Sequence, residues 1–561
     1  MTATLELTRD LELAAAPAET APRRWLGLFA VLAAMIMNLL DSTVVNVAAP
    51  SIRQELGGTY ANLQWIAAGY TLALAVGLLT GGRLGDMFGR KRMLLIGVVG
   101  FVLASLACAA AVSPETLIAA RVIQGLFGAV MIPQSFGLVR DLFPPQEMGK
   151  AFAAFGPVIG LSTIIGPVVA GMLIDADVAG TGWRMIFAIN LPVGAFALIA
   201  GYRALPARAT VRAARLDLRG AVLGGVGMML LVYPLVQGRE LGWPAWSVGM
   251  LAASILVLAV FAAYQIRRRR SGGTPLVELS VFRQRSYTSG VVFVIVFFGA
   301  IVGISLTVGL FLQLGLGYTP VRASLTMSAW AVGAFLGSGF GGAMMAKLGR
   351  TILHIGLTLM AIGTGGLYLV FERYGTGIGG WDLAAPLAVF GVGMGMIFVP
   401  LFDIIMAGVE DHEVGSASGI LESLQQLGAT LGVAVIGTIF FGAIGTQAQH
   451  NFDTSAAPAL RVELSGAGVP VRNQNQLIDA VRACVSDREK GTDPDAAPAS
   501  CVYAGQLATP ATGTAIAAAS LDTRKRDSLD AVQRVTALAL VLTGIAFVLG
   551  FLLPKRARGQ H

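Results

Sequence analysis

Charged residues are scarce in this sequence, which has 561 residues and only 13% Asp, Glu, Lys and Arg. A soluble globular protein carries about 25%, so most of this chain is not built to meet water. Hydrophobic residues make up 55% of the chain, and the mean hydropathy is +0.72. The composition excludes a string of soluble domains and predicts one large helical membrane protein, at about 20 apolar residues per span.

Several sequence motifs are also missing. The chain has no GxxxxGK[ST] phosphate-binding loop, which argues against an ATP-driven pump. Its four histidines are scattered, and no metal-ligand cluster or nucleophile–base pair stands out. We therefore expect no metal, no cofactor and no enzymatic activity. The basic residues behind the net charge of +8 fall in short clusters between apolar runs, which does not favour a nucleic-acid partner.

The apolar residues form fourteen runs of spanning length. We expect no cleavable signal peptide before them, because residues 1–22 lack a long apolar stretch. The runs lie near residues 25–47, 62–82, 93–112, 116–138, 151–174, 184–203, 220–237, 247–266, 288–313, 324–346, 351–371, 382–407, 416–444 and 531–553. Loops after even-numbered runs hold most of the Lys and Arg, which predicts that both termini are cytoplasmic. Abundant Ala and Gly, with more Arg than Lys, favour a GC-rich bacterial genome, and we expect the protein to lie in the bacterial inner membrane.

Cysteine is rare too, with three in the chain. Two of them, Cys484 and Cys501, fall in one polar segment, residues 445–530, which we expect to be an extracytoplasmic loop. A disulfide could persist on that side of the membrane. Two free thiols in a mobile loop are the alternative.

A short repeat divides the chain. GGRLGDMFGR ends at Arg90 and GGAMMAKLGR ends at Arg350, an offset of 260 residues. Applied to the first span, this offset reaches the ninth, which indicates two six-helix units with two helices inserted between them. Duplicated bundles are a secondary-transporter architecture. The predicted parts are a tail (1–24), a six-helix bundle (25–203), two inserted helices with their loops (204–287), a second bundle (288–444 and 531–553) around the 445–530 loop, and a tail (554–561).

The first copy of the repeat resembles the signature loop of the major facilitator superfamily. Its residues include Gly82, Asp86, Gly89 and Arg90. Glycines let two helix ends approach, and Asp86 would meet the N-terminus of a neighbouring helix and pair with Arg90. In that family the loop acts as a cytoplasmic latch for the outward-open state. A plain tight turn is the alternative, and Ala346 replaces the aspartate in the second copy.

Other stretches are similar to the fourteen-spanner drug:proton antiporter branch of that family. They are DSTVVNVAAP from Asp41, LIAARVIQG around Arg121, the antiporter motif with Gly166, Pro167 and Gly171, WRMIFAINLPVG from Trp183, and residues 415–438. The resemblance implies the all-α major facilitator fold with fourteen transmembrane helices. It also implies proton-coupled export of amphipathic molecules such as drugs, dyes or antibiotics by alternating access.

Asp41 lies about two-thirds of the way along the first span. Burial disfavours a charged carboxylate, whereas a nearby arginine favours it, and Arg121 is the natural partner. We hypothesise that Asp41 alternates between proton and substrate, since ionisable residues inside a membrane are usually functional. The alternative is that Asp41 only hydrogen-bonds the first span to its neighbours, or is solvated.

Asp403 and Glu422 form a second acidic pair, near the cytoplasmic ends of spans twelve and thirteen. Antiparallel neighbouring spans would place both carboxylates at similar depth. They would serve as an inner proton exit or attract cationic substrates, or they are interfacial residues that reach water.

The sequence is compatible with three functions. The first is multidrug efflux, and the second is dedicated export of one self-made metabolite or lipid. The third is a membrane sensor or assembly partner that keeps the fold without transport. The expected partners of an exporter are a small-molecule substrate, protons and membrane lipid, and we expect it to be a monomer.

Overall fold

The computed structural model describes residues 21–143, 147, 155–206, 217–238, 241–273, 275–277, 279–406, 409, 414–490 and 498–555. Within these ranges the chain forms helices and no strand. The first 20 residues and the tail beyond residue 555 lie outside the described part. So does the side chain of Asp86, although its backbone is helical.

In the described part of the chain, fourteen helices follow the predicted spans. They are α1 (Ala21–Leu56), α2 (Tyr60–Phe88), α3 (Arg90–Ala109), α4 (Pro114–Leu142), α5 (Phe155–Ala176), α6 (Asn190–Ala204), α7 (Leu218–Gln237), α8 (Ala245–Arg270), α9 (Arg285–Leu310), α10 (Pro320–Leu348), α11 (Thr351–Tyr374), α12 (Gly380–Ile405), α13 (Val414–Asn451) and, after three further helices numbered α14 to α16 below, α17 (Pro510–Gly550). Within the described ranges, twelve helical segments are long and apolar enough to cross a membrane. α5 and α10 are the two outside that set, and both coincide with predicted spans.

Local sequence explains where several helices begin and end. Ser113 caps α4 through its side chain, and Pro114 occupies the first helical turn, where no N–H is needed. The two repeat glycines, Gly89 and Gly349, end α2 and α10 with φ of 92° and 51°. Such positive φ values favour glycine, which explains why Gly-Arg closes both copies of the repeat.

The long helices form two six-helix halves, each with its own apolar core. α1 to α6 pack together around buried side chains such as Phe101 and Phe187. α9 to α13 and α17 pack around another set, which includes Phe293 and Phe390. The two halves meet along two seams, α2 against α13 and α5 against α10. With the 260-residue offset these seams are equivalent, so the packing follows the repeat.

The inserted helices lie on one side of the molecule. α7 packs against both α2 and α13, and α8 packs mainly against α7. Much of the surface of α8 is apolar and exposed, for example Val248, Ile255 and Leu256. This face is suited to lipid contact.

The predicted 445–530 loop is largely helical. α13 continues to Asn451 and α17 begins at Pro510, so both helices extend past the predicted span ends. Between them lie α14 (Ala457–Gly466), α15 (Val471–Lys490) and α16 (Ala499–Leu507). We call residues 452–509 the cap. The bundle therefore has a cap end, and a latch end where Gly89 and Gly349 lie.

The cap has a small core and a covalent link. Leu460 and Leu464 of α14 are buried against Leu477 and Val481 of α15. Cys484 and Cys501 are joined by a disulfide, which ties α15 to α16. The polar composition of this segment predicts a loop. In the structure it is a packed helical unit on the ends of α13 and α17.

Candidate functional site

Asp41 lies inside the first half, on α1, and is only 1% exposed. Arg121, on α4, is also 1% exposed. The two side chains form an ion pair in which Arg121 Nη1 donates to Asp41 Oδ2. The structure therefore places in direct contact the two residues that sequence analysis assigned to proton coupling.

The other carboxylate oxygen of Asp41 accepts two further hydrogen bonds. Gln124 Nε2 of α4 donates to Asp41 Oδ1 at 2.8 Å, and Asn190 Nδ2 of α6 donates to it at 3.2 Å. The same two amides donate to the hydroxyl of Ser105 on α3, at 2.9 and 3.1 Å. Four helices thus converge on one buried carboxylate.

Arg121 is enclosed as tightly as its partner. Its Nε donates to the carbonyl oxygen of Ile66 at 3.2 Å, and its Nη1 donates to Gln124 Oε1 at 2.6 Å. The guanidinium carbon lies 4.1 Å from the ring centre of Tyr70, a cation–π distance. The Tyr70 hydroxyl in turn accepts a hydrogen bond from Asn38.

These contacts determine what a proton on Asp41 would change. As an ion pair it is neutral overall, and its polar atoms are hydrogen-bonded, which offsets the cost of burying two charges. A proton on Asp41 would cancel its charge and leave Arg121 as the unbalanced group. A change of one proton would therefore alter the bonding of side chains on α1, α3, α4 and α6.

Some members of this network were not singled out from sequence. Gln124 lies three residues after Arg121, on the same face of α4, so helical spacing could have identified it. Asn190 was quoted only as part of a motif. Ser105 sits in an apolar run with no local signal, because its role depends on where α3 packs.

The latch loop brings α2 close to α4. A Cβ atom on Gly81 would lie 2.0 Å from the carbonyl oxygen of Ala129, and one on Gly85 would lie 1.8 Å from Gln134 Oε1. Gln134 Nε2 donates to the Gly81 carbonyl oxygen at 2.8 Å. Gly82, which sequence analysis named, has ordinary contacts only, so the close approach depends on its neighbours.

Arg90 pairs across the latch with α4. Its Nη1 lies 3.6 Å from Asp141 Oδ2, and the side chain fills the space beside Gly137. The predicted partner, Asp86, has its side chain outside the described part, so that pairing stays a prediction. The observed contact nonetheless ties the start of α3 to the end of α4.

Lys91, which follows the first repeat copy, and Arg350, which ends the second, hold equivalent helix ends. Lys91 Nζ donates to the Leu205 carbonyl oxygen, just beyond α6, at 2.7 Å. Arg350 Nη1 donates to the carbonyl oxygens of Phe551 and Leu553, just beyond α17, at 2.7 and 2.8 Å. Since α17 is the sixth helix of its half, the duplication extends to these contacts.

The antiporter motif lies where α5 meets two other helices. A Cβ on Gly166 would lie 2.6 Å from Thr43 Oγ1 of α1, two residues from Asp41. A Cβ on Gly171 would lie 2.8 Å from the Pro320 carbonyl oxygen of α10, in the other half. Pro167 is inside the helix. The small residues therefore connect the Asp41 region to a seam between the halves.

The α2–α13 seam is hydrogen-bonded in its middle. Thr430 Oγ1 donates to Thr71 Oγ1 at 2.7 Å, and Ser423 Oγ donates to the Ala75 carbonyl oxygen at 2.6 Å. Nearer the cap end, the rings of Tyr60 and Phe441 stack with centres 4.2 Å apart. The halves are thus in contact at the cap end.

The second acidic pair is arranged differently from the expectation. Asp403 is exposed and Glu422 is partly buried. α12 packs against α10 and α11, whereas α13 packs against α2, α9 and α17. The two spans were expected to be packed neighbours, but their main partners in the described ranges differ. No hydrogen bond or ion pair joins the two carboxylates there.

Among the residues that the structure describes, no group of three or more His, Cys, Asp or Glu side chains is placed to hold a metal ion.

Comparisons with known proteins agree on a family. The sequence model of the Major Facilitator Superfamily matches residues 31–433. The chain is 45% identical to "Probable actinorhodin transporter" of Streptomyces coelicolor, over 96% of this chain and 93% of the relative. It is 34% identical to "Tetracenomycin C resistance and export protein" of Streptomyces glaucescens, over 75% of this chain and 77% of the relative.

A solved structure shares the fold. It is a bacterial homologue of the human lysosomal transporter Spinster in an inward-facing, occupied conformation, with a TM-score of 0.58 at 15% identity. The match covers 94% of this chain and 97% of the other. At this identity the likeness concerns architecture alone.

Proposed function

Because this chain belongs to the major facilitator superfamily, we propose that it exports amphipathic small molecules from a bacterial cell in exchange for protons. The export part rests on one observation above all, the 45% identity to "Probable actinorhodin transporter" over 96% of the chain. That similarity takes in both halves and the inserted pair. The chain is a multi-pass membrane protein.

We place the latch end in the cytoplasm and the cap outside. Basic residues support this orientation, because Arg90, Lys91 and Arg92 follow the latch and four consecutive arginines end α8. Both termini are then cytoplasmic, and the membrane is the bacterial inner membrane. We further propose that the chain works as a monomer, since one chain supplies both halves.

The proposed coupling site is the Asp41–Arg121 pair. While the halves are closed at the cap end, the guanidinium balances the carboxylate. When that end opens, a proton from outside binds Asp41 and frees Arg121, and the hydrogen bonds to Gln124 and Asn190 change with it. When the latch end opens, the proton leaves to the cytoplasm and the ion pair forms again.

The halves would rock against each other to expose the substrate on one side at a time. The α5–α10 and α2–α13 seams are the surfaces that separate at the cap end. At the other end, the latch residues Gly82, Asp86, Gly89 and Arg90 would hold the outward-open state. The antiporter motif on α5 would carry a change at Asp41 towards the seam through Gly166 and Gly171.

Asp403 and Glu422 are proposed as a further acidic site in the second half. Since neither is paired with a basic side chain in the described ranges, each is available to a cation or a proton. They would act separately rather than as one pair, because their helices have different packing partners.

A narrower substrate range is the second candidate. Two relatives are named after single antibiotics, actinorhodin and tetracenomycin C. On this reading, the chain is a dedicated exporter of one self-made secondary metabolite or lipid.

An accumulation assay tests export and separates the two candidates. Cells that lack their own efflux pumps would be loaded with ethidium, actinorhodin or tetracenomycin C, with and without this chain. We expect severalfold lower accumulation with the chain, abolished by a protonophore. A response to actinorhodin alone or to tetracenomycin C alone would indicate the dedicated exporter, and unchanged accumulation of every compound would contradict export.

A further inference from the structure

The cap carries a cleft between α14 and α15 with a volume of about 490 Å³. Volumes of this size are typical of small-molecule sites, at roughly 300–1,000 Å³. The side chains that matter here are Arg461, Val462, Ser465, Ile478 and Arg482. Transport by alternating access of two halves does not require such a cleft, so its lining calls for its own explanation.

One of the two arginines is balanced by carboxylates. Arg482 Nε donates to Asp453 Oδ1 at 2.6 Å, and Arg482 Nη1 donates to Asp479 Oδ1 at 2.5 Å. Both are ion pairs. Arg482 is thus fully paired, and with its two carboxylates it forms a group of net charge −1, of which Asp453 also lines the cleft and Asp479 does not.

The other arginine has no such balance. Arg461 Nη2 donates to Asn475 Oδ1, a neutral acceptor, at 3.0 Å. No carboxylate pairs with Arg461 anywhere in the described ranges. Its remaining N–H donors are available to a ligand, and a guanidinium matches the geometry of a carboxylate or sulfonate.

Apolar side chains lie next to this charge. Val462 is 73% exposed, so most of its branched aliphatic side chain contacts water. Ile478 lines the cleft and is buried. An apolar ring system placed here would cover the exposed side chain, and removing apolar area from water is favourable by about 25 cal/mol per Å².

The cleft is also held in shape before any ligand arrives. Its two helices pack through buried leucines, and the disulfide fixes α15 to α16. A preorganised site loses less entropy when it binds.

We propose that this cleft is an extracytoplasmic binding site for an amphipathic organic anion, held by Arg461 at its acidic group and by Val462 and Ile478 at its apolar part. The site is separate from the Asp41–Arg121 pair and from both seams. It therefore stands or falls independently of proton-coupled export.

Cysteine protection in the full-length protein tests the site. Ser465→Cys would place a thiol in the cleft. The matched control is Leu521→Cys, because Leu521 is exposed on α17 and lies outside the cleft lining. The chain's remaining free cysteine, Cys108, is buried. Labelling by a membrane-impermeant maleimide would be timed in phosphatidylcholine nanodiscs, with and without anthraquinone-2-sulfonate. We expect at least fivefold slower labelling of Ser465→Cys and no change at Leu521→Cys.

The charge requirement is tested in the same assay. In the Ser465→Cys background, adding Arg461→Gln should abolish the protection, whereas adding Arg461→Lys should retain part of it. The neutral compound 2-(hydroxymethyl)anthraquinone, which lacks the acidic group, should protect weakly. An intact Cys484–Cys501 disulfide in each variant, checked by mass spectrometry, shows that the cap is folded. Protection that survives Arg461→Gln, or no protection at all, would overturn the proposal. Slow labelling in phosphatidylglycerol nanodiscs without the sulfonate would assign the cleft to lipid headgroups and would also overturn it.

Discussion

Asp41 shows how much a single side chain in a membrane protein depends on its neighbours. Three donors from α4 and α6 surround it, and its charge is balanced by one guanidinium. Breaking a buried ion pair from one side costs about 3–5 kcal/mol, because the remaining charge is left without a partner. Each member of the pair therefore depends on the other to remain buried as a charged group.

This leads to a prediction for a double-mutant cycle. Arg121→Gln should lower the stability of the protein by about 3–5 kcal/mol, because Asp41 stays buried without its cation. Adding Asp41→Asn should restore at least half of that loss, since no unbalanced charge remains. Stability would be followed by steric trapping or thermal unfolding in nanodiscs.

Arg373→Gln is the control for this cycle, because Arg373 is exposed at the end of α11. It should change stability by less than about 0.5 kcal/mol. A double variant that is less stable than Arg121→Gln would show that the two side chains do not act as a pair.

Sequence alone predicted the partners in this pair but not their surroundings. Asp41 and Arg121 are conspicuous because each is an ionisable residue in a long apolar run. Ser105 and Tyr70 give no such signal, because polar groups of their size are common in membrane helices. Their roles come from the packing of α2 and α3, which local sequence does not contain.

Among the helices, α5 links the proposed coupling site to a seam. Its small residues face α1 at Gly166 and α10 at Gly171. At the other seam a third helix, α7, joins the packing. Its Val232 shares a buried cluster with Leu72 of α2 and Leu427 of α13. The two seams therefore differ, since α7 packs against both helices of the α2–α13 seam.

A substitution at Gly171 tests the α5 seam. Gly171→Leu should force α5 and α10 apart at the cap end, since even a Cβ would lie 2.8 Å from the α10 backbone. Overpacking costs about 1–3 kcal/mol, and we expect the transport rate to fall by about tenfold, which corresponds to about 1.4 kcal/mol. The rate would be measured as substrate efflux from loaded vesicles.

Gly249→Leu is the matched control on α8, where a Cβ would meet nothing within 4 Å. It should transport at the wild-type rate. Equal loss in both variants would point to a general effect of bulk in a membrane helix rather than to the seam.

The helices were predictable to different degrees. The fourteen apolar runs coincide with long helices because apolar length is the main requirement for a span. The cap helices were missed because α14 and α16 are short and α15 is rich in polar and charged residues, a composition that is also typical of a loop. The ends of α13 and α17 were misplaced for a related reason, since hydropathy falls at the membrane surface while the helix continues.

At the scale of the whole molecule, the halves are closed at the cap end. The stacked rings of Tyr60 and Phe441 belong to different halves and touch there. Alternating access requires these rings to separate in every cycle. A link between them should therefore stop transport without unfolding either half.

A crosslink tests this requirement. In Tyr60→Cys/Phe441→Cys, a short bis-methanethiosulfonate reagent should bridge the thiols and reduce transport to background. A reducing agent should restore it, and each single variant treated in the same way should keep its activity. Full transport by a protein that mass spectrometry shows to be bridged would exclude separation of the halves at this point.

The central claim is that proton movement through Asp41 drives export, and one measurement tests it most directly. Inside-out vesicles would be given an acidic interior, and the collapse of the pH gradient would be recorded on adding ethidium, actinorhodin or tetracenomycin C. The variants would be wild type, Asp41→Asn and, as a control, Asp175→Asn, whose side chain is exposed at the end of α5. We predict a substrate-dependent proton leak in wild type and Asp175→Asn that is absent in Asp41→Asn. A leak of the same size in Asp41→Asn would contradict the account.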